Sequence, residues 1–213
     1  MSLLTHLSRA RSVLSFFSAF SASLRCTVFV AVALLLSPVV RAQESVVTLD
    51  PAATKIDFTL GATMHTVHGS FKLKSGEIRF DLATGKAGGS VVVDATTAYT
   101  SNSGRDSKMH KEILESAKFP EIVFTPTGVK GSMAPQGTSE VDVTGVMRLH
   151  GADHEITVAI SVEPAADGRL HASLKFAVPY IKWGLKNPSN FFLHVSDTVN
   201  VEIDAAARLA PAH

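Results

Sequence analysis

Cysteine is nearly absent from this chain, since its 213 residues include only Cys26. Cys26 precedes an apolar run instead of following it, so it does not stand where the acylated cysteine of a lipoprotein would. If the segment that contains Cys26 is removed on export, the remaining protein can form no intrachain disulfide. Its fold must then be stabilised by a hydrophobic core, and the 171 residues after position 42 are enough to build one.

Acidic side chains are missing from residues 1–42, which contain four arginines instead. The run Cys26–Val40 is nearly all apolar and leads into a small-residue site at 40–42. This pattern predicts a secretory signal peptide over residues 1–42, with residues 43–213 as one mature domain in the periplasm or outside the cell. The alternative is an uncleaved anchor, but fifteen residues are few against the roughly 20 that a spanning helix needs.

A basic face is also lacking. Four of the 20 basic residues lie in residues 1–42, which leaves 16 basic against 19 acidic residues in the predicted mature chain. Domains that bind nucleic acid are usually basic, so this balance argues against a nucleic-acid partner.

Catalytic motifs are missing as well. The sequence has no G-x-S-x-G elbow, no H-E-x-x-H zinc motif and no phosphate-binding glycine loop. His154 and Glu155 begin a zinc-protease pattern that lacks its second histidine. Because nothing in the sequence points to an enzyme, we predict a non-catalytic protein without a cofactor.

What the sequence does contain is alternation. From Val46 onward, apolar residues recur at every second position in short rows separated by turn residues, which is typical of half-buried antiparallel strands. Examples are the rows Ile78, Phe80, Leu82 and Ile156, Val158, Ile160, Val162. Counted in this way, the rows predict roughly eight to ten strands.

One row changes its phase. Apolar residues are even-numbered from Ile56 to Met64 and odd-numbered from Val67 to Leu73. Such a slip within a strand-like stretch predicts a β-bulge or a kink, which places two residues opposite one.

Residues 103–115 follow a helical period instead. Met109 and Ile113 are four apart, and Ser103 is a candidate N-cap. The segment predicts a short helix that ends before Phe119 and Pro120, because a proline disfavours helix in the residue before it.

The predicted fold is therefore all-β with one short helix between strands. A closed barrel would bury the apolar face of the sheet and remove its edges, and a two-sheet sandwich would also bury that face. An eight-stranded barrel can be filled by its own side chains or can hold one small ligand.

Three segments resemble the YceI-like family of secreted, lipocalin-like barrels. They are FTLGATMHTVHGSFKLKSGEIRFD at 58–81, RDSKMHKEILESAKFPEIVF at 105–124 and VTGVMRLHGADHEITV at 143–158. The resemblance runs from about Val46 to Ile203, although the segment 178–192 replaces a plainer one. It implies an eight-stranded antiparallel lipocalin-like barrel whose interior binds a long isoprenoid or other lipid chain, without known catalysis.

The pattern alone favours a filled core, because most apolar rows are packed core. The resemblance implies instead that some of the inward apolar side chains line a lipid-binding tunnel. In the helix, Met109 and Ile113 would face the ligand or merely close the barrel. The predicted lipid-binding residues are Phe58, Leu60, Met64, Phe71, Phe80, Met109, Ile113, Phe124, Met147, Val158, Phe176 and Trp183.

Arg105 and Asp106 stand at the predicted start of the helix. An acid in the first turn is favoured by the helix dipole, so Asp106 has a structural role available. For Arg105 the preferred expectation is a structural ion pair. The alternative is a contact with a phosphate or other head group at the tunnel mouth, to which arginine is suited.

His65 and His68 raise the question of a metal site. In an unbroken strand they would point to opposite faces, but the predicted phase slip would bring both to the polar face. A metal needs further ligands, and no spacing among the other histidines is a recognised ligand pattern. We therefore predict no metal site.

We predict an exported, non-catalytic binding protein that holds an isoprenoid-like or other long-chain lipid for transport, storage or a stress response. The membrane would be only the source or destination of the lipid. The alternatives are an exported interaction module with a filled barrel and a histidine-dependent metal binder. The sequence leaves open whether the protein forms a homodimer.

Overall fold

The computed structural model describes residues 44–63, 65–191 and 193–211. The predicted signal peptide over residues 1–42 and the predicted ligand contact Met64 lie outside them. The described strands are β1 Ser45–Leu49, β2 Lys55–Ala62, β3 His65–Asp81, β4 Lys86–Tyr99, β5 Glu121–Gly131, β6 Ser139–Leu149, β7 Ala152–Pro164, β8 Arg169–Val178 and β9 Val195–Pro211. Helix α1 spans Ser103–Lys108 and continues into a π-helical turn at Met109–Ile113.

The strands close into an antiparallel barrel. Each strand from β2 to β9 pairs with its neighbour in sequence, and β9 pairs with β2 to complete the ring. Strand β1 pairs with the same two partners as β2, namely β3 and β9, so β1 and β2 form one position of the wall interrupted at residues 50–54. The prediction of an eight-stranded all-β barrel with one short helix is confirmed.

Alternation explains why these segments are strands. In β6, Val141, Val143, Met147 and Leu149 are buried, while the intervening Asp142, Thr144 and Arg148 are exposed. Side chains of a strand point alternately to its two faces, so this period places the apolar set inside the barrel. Burying a side chain such as valine or leucine contributes roughly 1.5–3 kcal/mol, and this burial stabilises the wall.

The predicted bulge or kink at the change of phase, between Met64 and Val67, is wrong. The chain instead reverses after Ala62, and β2 and β3 form a hairpin in which Ile56 lies opposite Phe71 and Leu60 opposite Val67. In this register an even-numbered residue of β2 faces an odd-numbered residue of β3, so the change of phase results from the reversal. Register shifts occur on either side of the reversal, between Leu60 and Ala62 in the pairing of β2 with β9 and at 70–72 and 73–75 in the pairing of β3 with β4.

Helix α1 begins one residue earlier than predicted. Its N-cap is Asn102, whose Oδ1 accepts a hydrogen bond from the backbone N–H of Arg105 at 2.9 Å. Ser103 is the first helical residue instead of the cap, since an asparagine side chain is at least as good a capping acceptor as serine.

The two ends of the barrel carry different connections. The helix end is formed by residues 63, 100–120, 150–151, 179–191 and 193–194, and the hairpin end by residues 82–85, 132–138 and 165–168. No helix among the described residues is long and apolar enough to span a membrane.

Candidate functional site

The barrel encloses a cavity of about 370 Å³. All nine strands contribute inward side chains to its wall, and α1 and the segment 179–194 contribute at the helix end. Lining residues reach from Leu82 and Met133 near the hairpin end to Met109 and Pro188 at the helix end. The interior is therefore hollow along the barrel, which favours the tunnel interpretation over the filled core.

Ten of the twelve predicted ligand contacts line this cavity: Phe58, Leu60, Phe71, Phe80, Met109, Ile113, Phe124, Met147, Val158 and Phe176. Trp183 is not among the lining residues. Its indole stacks on the His154 ring with centroids 4.2 Å apart and planes 3° from parallel. The ladder between β7 and β8 covers only 160–164 and 170–174, so Trp183 packs beside a stretch of β7 that β8 does not pair with.

Phe58 and Phe71 form an aromatic pair in the wall of the cavity. The rings of Phe58 and Phe71 lie 5.2 Å apart at 44°. A Cβ at Gly69 would overlap the Phe58 ring and would lie 2.8 Å from the Tyr99 carbonyl oxygen. Glycine is therefore needed at position 69 to leave room for the Phe58 ring against β3.

Sequence reasoning missed the contribution of the segment 179–194. Tyr180, Leu185 and Pro188 line the cavity, and Tyr180 and Leu185 are only 4 % and 5 % exposed. The Tyr180 hydroxyl donates to the Ser196 carbonyl at 2.8 Å, and burial raises the pKa of Tyr180 to about 12, with Asp197 adding to the shift. The segment has neither a helical nor a strand period, so only its density of apolar residues hinted at this role.

Uncharged polar groups in the lining mostly have partners. The Thr100 hydroxyl donates to the Asp106 carboxylate at 2.5 Å, and the Thr100 backbone N–H donates to the same oxygen at 2.9 Å. Thr54 also lines the cavity, and its buried Oγ1 has no hydrogen-bond partner among the described residues. Asp106 thus binds the residue that leads into α1 through two hydrogen bonds. This role is more specific than the favourable interaction with the helix dipole that we expected.

Two cations lie where the cavity meets solvent. Arg105 and Lys108 both line it, and Lys108 is the only exposed residue of the described lining. The Lys108 ammonium donates to the Pro188 carbonyl at 3.4 Å. The preferred expectation that Arg105 forms a structural ion pair is wrong for the described residues, in which no carboxylate lies within ion-pair distance of it. The Asp106 carboxylate accepts its hydrogen bonds from Thr100.

The helix end is held by contacts between its connections. The His150 Nε2 lies 2.5 Å from the Glu115 carboxylate, and the Phe119 ring packs against the His150 ring with centroids 4.5 Å apart. His110 contacts the Ala98 carbonyl through Nε2 and the Ser116 hydroxyl through Nδ1, each at 2.9 Å. Since a carbonyl only accepts, Nε2 of His110 carries the proton and Nδ1 accepts from Ser116.

His65 and His68 do not share a face. Both are exposed and lie on β3, whose register with β2 is continuous from His65 to Phe71, so side chains three apart point to opposite sides of the wall. The prediction that both fall on the polar face is wrong, because it rested on the bulge. Within the described ranges, no three His, Cys, Asp or Glu side chains are placed to share a metal ion.

Known structures with this architecture have low sequence identity to the chain. A polyisoprenoid binding domain from Saccharophagus degradans, implicated in plant cell wall breakdown, matches with a TM-score of 0.58 at 17 % identity, over 77 % of this chain and 98 % of that one. BcnA from Burkholderia cenocepacia matches with a TM-score of 0.62 at 13 % identity, over 74 % and 98 %. At these identities the similarity is one of fold.

Relatives by sequence cover less of the molecule. A UPF0312 protein of Pseudomonas savastanoi pv. phaseolicola is 34 % identical over 107 residues, which are 48 % of this chain and 53 % of the relative. Protein YceI of Escherichia coli O157:H7 is 30 % identical over 94 residues, 43 % of this chain and 47 % of the relative. The chain thus spans about half the length of the curated relatives it matches.

The YceI-like domain matches residues 47–207, from β1 to the last part of β9. This range contains all three segments on which the resemblance rested and every described cavity-lining element. Because the match covers more than half of the sequence, the chain belongs to the YceI-like family.

Proposed function

We propose that this protein is an exported, non-catalytic lipid-binding protein that holds one long apolar chain, isoprenoid-like or fatty, inside the barrel. The observation that carries the proposal is the apolar cavity of about 370 Å³ along the barrel. The structurally similar domain of Saccharophagus degradans is a polyisoprenoid binding domain, which supports the same class of ligand.

Packing energy favours an occupied cavity. An apolar cavity offers water no hydrogen-bond partners. An empty cavity lowers the free energy of unfolding by roughly 24 cal/mol per Å³ of its volume, which amounts to several kcal/mol at this size. A lipid chain recovers these contacts and removes about 25 cal/mol of unfavourable hydration per Å² of its own apolar surface. Ordering the chain offsets part of this gain. Affinity therefore needs no sequence motif, only a continuous apolar wall.

The ligand would lie with its polar head at the helix end. Arg105 and Lys108 line the cavity there, whereas the lining near the hairpin end is formed by apolar side chains such as Leu82, Val129 and Met133. A head that accepts hydrogen bonds would satisfy the guanidinium of Arg105.

Export and the absence of catalysis belong to the same proposal. The pattern of residues 1–42 supports a signal peptide and a periplasmic or secreted location. No catalytic motif was found in the sequence, and transport, storage or a stress response would each need only reversible binding.

The test is to fill the cavity without adding charge. Ala172 is buried and lines the cavity, whereas Ala177 on the same strand is exposed on the outer face. We expect Ala172→Phe to reduce the lipid that co-purifies with the protein by at least about tenfold, because the ring occupies space the chain needs. Ala177→Phe is the matched control and should keep its full load. Lipid per protein would be measured by extraction and mass spectrometry, with folding checked by circular dichroism.

A folded Ala172→Phe variant with an unchanged lipid load would contradict the proposal. If Ala172→Phe does not fold, Ala205→Phe fills the cavity from the paired position on β9. In a filled barrel, both inward variants would instead lose about 1–3 kcal/mol of stability by overpacking, and the parent protein would carry no lipid.

A further inference from the structure

Charge is distributed unequally between the two ends of the barrel. The connections at the helix end carry six basic side chains, Arg105, Lys108, Lys111, Lys118, Lys182 and Lys186, and three acidic ones, Asp106, Glu112 and Glu115. The connections at the hairpin end carry no basic side chain and one acidic one, Asp167. The helix end is therefore positive although the predicted mature chain is acidic overall.

These six cations are not neutralised locally. None of them forms an ion pair within the described residues, where the salt bridges involve other cations on the barrel wall and at the hairpin end. The three acids, two of which contact Thr100 and His150, leave an excess of three positive charges in these connections. The positive potential of this end is thus available to a partner.

Large exposed apolar side chains lie at the same end. Phe191, in the connection 179–194, is 95 % exposed, and Tyr99, the last residue of β4, is 57 % exposed. These two are the large hydrophobic side chains that stand out as exposed in the described part of the chain. Aromatic rings beside lysines are typical of surfaces that sit in the interface of a membrane.

We propose that the helix end docks on an anionic lipid surface, with Phe191 entering the interface and the lysines facing the lipid head groups. The inference rests on the proposed function, because docking there would bring the solvent-facing part of the cavity, marked by Lys108, against the source or destination of the lipid. A bilayer fits this end because it presents spread negative charge together with apolar chains. Each lysine near such a surface adds attraction that salt screens.

The experiment measures binding of the purified full chain to vesicles of phosphatidylcholine alone or phosphatidylcholine with phosphatidylglycerol, by co-sedimentation. We expect tighter binding to the anionic vesicles and loss of that preference at high salt. The double variant Lys182→Glu, Lys186→Glu should weaken binding at least about tenfold. The matched control, Lys86→Glu, Lys130→Glu, makes the same charge change near the hairpin end and should stay within about twofold, because those residues would face away from the surface.

Phe191→Ser separates insertion from charge. It should weaken binding to anionic vesicles by about three- to tenfold while keeping the salt dependence, since only the apolar contact is removed. Equal weakening in both lysine double variants would overturn the proposal, because net charge alone would then explain it. Equal binding to neutral and anionic vesicles, or no binding to either, would also overturn it.

Lipid load measured on the same variants keeps this proposal separate from the proposed function. Protein that carries lipid but does not bind vesicles would overturn the docking proposal and leave the proposed function standing. It would favour a protein partner at the helix end. Vesicle binding by a parent protein that carries no lipid would contradict the proposed function and leave docking supported.

Discussion

The helix end and the hairpin end close the same eight-stranded barrel in different ways. At the hairpin end, Asp81 accepts bonds from the Ala83 N–H at 2.8 Å and from the Thr84 hydroxyl at 2.9 Å, and a glycine at position 85 takes the positive φ of the turn. At the helix end, the positive φ angles at Ser101, Glu115 and His150 belong to residues that have a Cβ. Residues other than glycine are strained at a positive φ, and such strain is often found at functional sites.

The two ends of the barrel also differ in polarity. The hairpin end has short turns that satisfy their own backbone, and the Thr84 hydroxyl lowers the pKa of Asp81 despite its burial. The helix end combines two long connections, six cations that form no ion pair within the described residues, and the exposed side chains of Tyr99 and Phe191. The difference is consistent with the proposed division, in which the hairpin end closes the barrel and the helix end binds.

The largest expected effect concerns Tyr180, which anchors the connection 179–194. Its pKa is raised from 10.0 to about 12, so the protonated phenol stabilises the fold fully below pH 10, and this contribution is lost as the pH rises through about 12. The loss should reach roughly 2–3 kcal/mol and should be absent in Tyr180→Phe. Urea unfolding of both proteins at about pH 9 and about pH 12 would measure the difference.

The control uses the other tyrosine, since the chain has only two. In Tyr99→Phe, the tyrosinate absorbance belongs to Tyr180 alone and should titrate near pH 12. A midpoint near 10, the ordinary value, would show that the phenol is not buried at the helix end.

A smaller effect is expected from a matched pair of aspartates. Asp106→Ala should cost roughly 2 kcal/mol, because it leaves the N–H and hydroxyl of buried Thr100 without their acceptor. It should also reduce lipid load, since it loosens α1, whose Arg105 and Lys108 line the cavity. Asp81→Ala at the hairpin end should lower the melting temperature without changing the load. Thermal unfolding and lipid extraction would measure both, and a fall in load in both variants would refute the division of roles.

The smallest effect tests the strain itself. Ser101→Gly should stabilise the protein by about 0.5 kcal/mol. The backbone strain that glycine removes at φ 60° should exceed the free-energy cost of the greater entropy that glycine gives the unfolded chain. Gly168→Ala, at φ 78° in a hairpin-end turn, should destabilise it by about 1 kcal/mol. Denaturant midpoints would show both, and a destabilised Ser101→Gly would mean that position 101 is not strained.

Alternation was sufficient to predict the barrel wall, because Phe58, Phe124 and Val158 each sit in a row whose period matches a strand. It was insufficient at Ala62, since a hairpin and a bulge both move an apolar row from even to odd numbers. Tyr180 and Leu185 were missed because an irregular connection has no period from which a face can be read. Whether the cavity is hollow depends on how side-chain volumes from all the strands add up, which no local pattern records.

The most direct test of the lipid-binding account is native mass spectrometry of the protein purified from its own host, followed by denaturation and identification of what is released. We predict a mass above that of the bare chain and release of a prenyl or acyl species in nearly equal molar amount. A bare protein mass under gentle conditions, with nothing extractable, would contradict the account.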